Sequence, residues 1–72
     1  MKSRNAFTAV IKRDGPWWIG WIEEIPGVNS QGATREELLA NLRSALDEAI
    51  EMNRNEALAA ASGDYTEESI AL

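Results

Sequence analysis

Between residues 5 and 13 the apolar Phe7, Ala9 and Ile11 alternate with the mixed set Thr8, Val10 and Lys12. This period of two, in a stretch rich in β-branched and aromatic residues, predicts a strand. Asp14-Gly15 then signals a tight turn: Gly15 is free to take positive φ, and Pro16 closes the turn without having to donate a hydrogen bond. A second strand follows over residues 17–24. Its pattern differs, because Trp17, Ile19 and Trp21 point one way and Trp18 and Ile22 the other, so that both faces are apolar. An antiparallel sheet with one solvated face would alternate apolar with polar. A single covering helix can bury one face only, and the remaining face predicts contact with a second protein. Trp17, Trp18, Trp21 and Ile22 are the candidate partner or oligomer contacts.

Ile25-Pro26-Gly27 breaks this strand, since Pro26 cannot donate to a ladder and Gly27 suits a turn position of positive φ. Residues 28–31 fit a short third strand ended by Gly32. Thr34 opens a helix with a capping box, its side chain accepting from the Glu37 backbone while the Glu37 carboxylate reaches back to Thr34. The helix is predicted over residues 35–53. Leu38, Leu42, Ala45, Ala49 and Met52, flanked by Leu39, Leu46 and Ile50, form a broad core-facing stripe, with Glu36, Arg43, Asp47, Glu48, Glu51 and Arg54 on the outer face. Residues 56–61 either extend the helix or form a second turn before Ser62-Gly63-Asp64. Residues 65–72, from Tyr65 through the apolar Ile70 and Leu72, fit a final short strand or an arm that reaches a partner. The expected architecture is α+β, in the order β-β-β-α-β: a four-stranded sheet with one main helix on one face.

A chain of 72 residues holds one domain, 1–72, and buries too little surface for a large stability margin. With no Cys and no His, disulfides are impossible and a zinc or haem site has no credible ligands. Self-association, as a dimer or tetramer, is the reinforcement left. The absence of Cys, of a leader-like apolar run and of any membrane-length stretch reads as a cytoplasmic protein. Twelve acidic against seven scattered basic residues give a net charge of −5, which opposes phosphate contact and favours a basic protein partner.

The residues for chemistry are sparse. Glu23 and Glu24 are adjacent on a strand and point to opposite faces, so they cannot share a metal site. Ser30, Ser44 and Ser62 have no base in a recognisable motif, and no glycine run forms a phosphate loop. The tryptophans read as core or interface anchors. As RNA-stacking platforms they would need more basic neighbours than Lys12 and Arg13. No enzyme and no cofactor is expected.

Three runs, residues 14–27 from Asp14-Gly15-Pro16-Trp17 to Ile25-Pro26-Gly27, then Gln31-Gly32-Ala33-Thr34-Arg35-Glu36-Glu37-Leu38, then Asn41-Leu42-Arg43-Ser44-Ala45-Leu46, together resemble the HicB-like antitoxin family. That family shows an Asp-Gly turn, an aromatic strand, a Pro-Gly break, a Gly-x-Thr step and a Glu-Glu helix start with a following Asn. The resemblance implies a degenerate ribonuclease H-like fold that dimerises and neutralises a small basic mRNA-cleaving toxin of the HicA kind. Two departures stand out. Many members continue into a DNA-binding segment that has no counterpart in these 72 residues, which puts direct DNA binding in question, and Glu24 stands where many relatives have Pro. The alternative the residues allow is an orphan HicB-like module that dimerises without a toxin.

Overall fold

The computed structural model describes residues 6–63 and 65–71 of the chain. Its elements are β1 (Ala9–Asp14), β2 (Trp17–Ile22), β3 (Asn29–Gly32) and one long helix, α1 (Arg35–Ala61). The strands form an antiparallel meander in the order β1-β2-β3. α1 crosses one face of it, packing mainly on β3 and β2. Among the described residues the protein is therefore a small α+β fold of three strands and one helix.

The β1–β2 hairpin turns at Gly15, which adopts φ +60°. A positive φ at the first central position is what a two-residue turn of matching twist requires, and Pro16 supplies the fixed negative φ of the second. Both strands are offset from the expected bounds. β1 is set to residues 9–14 rather than 5–13, with Asn5 outside the described residues, and β2 stops at Ile22 rather than continuing to Glu24. The cause is local. The Glu23 N–H still donates to the Thr8 carbonyl at 2.9 Å. The Thr8 N–H, however, donates to Glu24 Oε1 and the Thr8 hydroxyl to Glu24 Oε2, each at 2.7 Å. A carboxylate acceptor thus replaces the ladder carbonyl, and regular pairing ends there.

α1 begins at the expected residue. Thr34, in extended backbone (φ −129°, ψ 163°), accepts from the Glu37 N–H at 3.1 Å. The return contact is shifted by one residue from the capping box expected: Glu37 Oε1 accepts from the Ala33 N–H, at 3.4 Å, rather than from Thr34. The helix is longer than residues 35–53, continuing to Ala61, where Ser62 takes the left-handed conformation (φ 57°) and donates its N–H to the Leu58 carbonyl. At a rise of about 1.5 Å per residue, 27 residues span roughly 40 Å. This overreaches the sheet and explains a radius of gyration of 15.2 Å, where a compact chain of this length would have about 11 Å.

The core lies under the first half of α1. Leu38 and Leu42 are 0% and 2% exposed and meet Ile22 and Val28, with Ile11, Trp18, Ile25, Ala45, Leu46 and Ala49 packed around them. Burying a leucine of this kind contributes about 1.5–3 kcal/mol. The helix can lie so close because the strands beneath it present glycines. A Cβ on Gly32 would fall 2.6 Å from the Leu38 backbone nitrogen, and one on Gly20 would fall 2.9 Å from the Val10 carbonyl oxygen and 3.2 Å from Leu42 Cδ1.

Two expectations are corrected here. Met52, placed in the core stripe, is 61% exposed because the helix has by then left the sheet. The fourth strand over residues 65–72 is absent among the described residues 65–71, with Leu72 and Asp64 outside them, and the described sheet has three strands. The eight helical residues beyond Asn53 carry the chain outward, and an exposed Arg54–Glu67 ion pair at 3.5 Å links the following segment to the helix. Ile70 is 83% exposed.

Candidate protein-binding face

In an antiparallel ladder, residues directly opposite each other share a face. The pairings Ala9↔Ile22, Ile11↔Gly20 and Arg13↔Trp18, with Gly20↔Ser30 and Trp18↔Gly32 on the other side of β2, define the face under α1. Val10↔Trp21, Lys12↔Ile19 and Asp14↔Trp17, with Ile19↔Gln31 and Trp21↔Asn29, define the opposite face. No described element covers this second face. The two-sided apolarity of β2 read from the sequence is therefore real, and α1 accounts for one side of it.

The four candidate contact residues divide between these faces. Ile22 is buried in the core, and Trp18 is half-buried beside it, its ring under the Arg13 guanidinium at 5.3 Å. Trp17 and Trp21 stand on the open face, 46% and 42% exposed, with Ile19 half-buried between them and Val10 beside Trp21. The open face was legible from the period of two, but the sequence pattern alone could not say which side the helix would take.

Around Ile19 and Trp21 the face dips into a shallow depression of about 370 Å³, floored by Gly20 and Ser30 and edged by Asn29 and Gln31. An apolar centre of two indoles and an isoleucine, rimmed by amides and by Lys12 and Asp14, has the composition of a protein-binding patch: aromatic anchors inside, polar groups outside. Tryptophan suits this role because it offers a large contact area with little side-chain entropy to lose.

The charges around the face are diffuse. The outer face of α1 exposes Glu36, Asp47, Glu48 and Glu51 against Arg43 and Arg54, consistent with the net charge of −5. Among the described residues no group of three or more His, Cys, Asp or Glu side chains is placed to hold a metal ion. Glu24, two residues beyond the end of β2, is engaged by Thr8 in the clasp described above. No described helix is long and apolar enough to cross a membrane.

Two features escaped the sequence reading. Asn41 on α1 donates its side-chain amide to the Gln31 carbonyl at 2.9 Å, tying helix to β3. The Glu24–Thr8 clasp is the other. An Asn on the outer part of a helical stripe, and a Glu two residues past a strand, carry no signal until the elements are placed. Compared with models of known protein families, with curated proteins and with solved structures, the chain finds no match.

Proposed function

We propose that this protein is a non-catalytic binding module of the HicB-like antitoxin kind, which masks a small basic RNA-cleaving protein of the HicA kind with its open sheet face. The observation that carries this reading is the pair Trp17 and Trp21, exposed on the face opposite α1 with Ile19 between them. A monomeric soluble protein rarely leaves large aromatic side chains grouped on one flat face unless something docks there. The acidic balance of the chain, −5, supports a basic partner by steering encounter and penalising acidic competitors. The ordered run of turn, aromatic strand, Pro-Gly break and Glu-Glu helix start supports the family, and with it a degenerate ribonuclease H-like relationship in which the catalytic carboxylates have gone.

In this mechanism the antitoxin needs no chemistry of its own. Trp17, Ile19 and Trp21 provide the desolvated anchor, Asn29 and Gln31 the polar rim, and RNA cleavage stops because the toxin surface is occupied. Co-expression with the product of the adjacent small gene, purification through a tag on one chain and an RNA-cleavage assay test it. A stable complex with cleavage suppressed is expected. Two separately eluting proteins with undiminished cleavage would overturn the proposal.

A further inference from the structure

The two sides of the β1–β2 hairpin treat their aromatic rings differently. On the side under α1 the cross-strand pair is Arg13↔Trp18. The Arg13 guanidinium lies over the Trp18 ring, 5.3 Å from its centroid, and Nη2 donates to the Gly15 carbonyl at 3.1 Å. Cation, ring and oxygen acceptor there all come from one chain. On the open side the neighbouring pair is Asp14↔Trp17. The ring is 46% exposed, Asp14 is exposed beside it, and among the described residues Asp14 forms no ion pair. Opposed residues that exchange ladder hydrogen bonds have Cα atoms about 5.5 Å apart. A planar cation resting on the Trp17 ring is therefore within reach of the Asp14 carboxylate.

The two ends of the open face differ in charge. Trp21 lies between Val10 and Asn29, and the depression beside it is edged by the uncharged Asn29, Ser30 and Gln31. At about 3.3 Å per residue, Trp17 stands roughly 13 Å from Trp21 along β2, so one side chain of a partner cannot serve both. Lys12 shares the open face with Asp14 but lies opposite Ile19. Its charge repels a cation seated over the middle of the face and confines a basic contact to the Trp17 end.

We propose that this end of the open face is a seat for an arginine side chain of the partner, its guanidinium stacked on Trp17 and paired with Asp14. The proposal deepens, and rests on, the reading of the open face as a protein-binding surface. Arginine fits better than lysine for a chemical reason. A guanidinium is planar and weakly hydrated, and it can lie on an indole while donating two parallel hydrogen bonds to one carboxylate, whereas an ammonium is compact and strongly hydrated. The net charge of −5 brings a basic surface to the chain, and the Asp14–Trp17 pair fixes where one of its arginines goes.

The test titrates the chain alone, at low ionic strength, with hexa-arginine and with hexa-lysine, following the indole N–H signals of its three tryptophans by NMR. The Trp17 signal should move saturably with hexa-arginine, and further than those of Trp18 and Trp21. Asp14→Asn, which keeps a residue suited to the turn before Gly15, should weaken hexa-arginine binding at least about threefold. Trp17→Ala, followed through the Asp14 amide, should do the same, which is the size of an exposed cation–π or ion-pair contact. Hexa-lysine should bind at least about threefold more weakly than hexa-arginine. Glu48→Gln removes the same charge from the exposed outer face of α1 and should change the affinity by less than about 1.5-fold. An unmoved Trp17 signal overturns the proposal. Equal weakening by Glu48→Gln and Asp14→Asn, or equal affinity for the two peptides, also overturns it, by reducing the attraction to the overall charge of the chain. No RNA-cleaving protein enters this titration, so its failure is distinct from a failure of the co-expression experiment.

Discussion

Of the described glycines, Gly32 is the one at which an added side chain would meet the tightest contact. Its Cα sits against the backbone of Glu37 and Leu38, where an added Cβ would be 2.6 Å from a nitrogen that is held in the first turn of a helix and cannot move aside. Gly32→Ala is expected to lower stability by about 2–3 kcal/mol, as overpacking against backbone does, measured by urea denaturation. Asn41→Ala should cost less, about 1 kcal/mol, because it removes one hydrogen bond from an exposed strand edge. The glycine and the asparagine were both visible as part of the resemblance, in Gly32-Ala33-Thr34 and in Asn41, yet their physical roles were not. A close approach between helix and strand backbones is a property of the assembled fold, and no local pattern of residue types reports it.

At the scale of elements, periodicity located what it could. The strand cores, the turn at Gly15, the Thr34 cap and the apolar stripe through Leu38 and Leu42 are where alternation and helical spacing put them. The strand ends are what it misplaced, and the helix end is what it left open, extension over residues 56–61 being one of its two alternatives. β2 ends early because Glu24 captures Thr8, a contact between residues 16 apart in sequence. α1 runs on past Asn53 because Glu56, Ala57, Leu58, Ala59, Ala60 and Ala61 are good helix formers with no breaker before Ser62 and Gly63. That extension also moves the last residues away from the sheet. The second half of α1 should accordingly be the less stable half. Its amides beyond Met52 lack tertiary cover, and short unsupported helical segments are marginal in water. Hydrogen exchange should show protection falling by one or more orders of magnitude between Leu42 and Leu58. Uniform protection along α1 would mean that the overhang is covered in solution by another chain.

For the molecule as a whole, stability and binding should separate by face. Leu38→Ala, in the core, is expected to cost about 2–5 kcal/mol, a large share of what so small a domain can have. Trp17→Ala and Trp21→Ala, on the open face, should leave the unfolding midpoint nearly unchanged and act on association instead. The two-sided apolar pattern of β2 made this division readable in the sequence, because it demanded more cover than one helix could give. The choice of Trp17 and Trp21 over Trp18 and Ile22 was not readable, since it depends on which side α1 takes. The most direct test is to titrate the chain, and the Trp17→Ala/Trp21→Ala variant, against a small basic RNA-cleaving protein of the HicA kind, the partner proposed above, following binding by calorimetry. The account predicts a tight complex for the chain and binding weakened at least about 100-fold in the variant, as loss of central aromatic anchors produces, at undiminished stability. No binding by the chain, or equal binding by both, would contradict it.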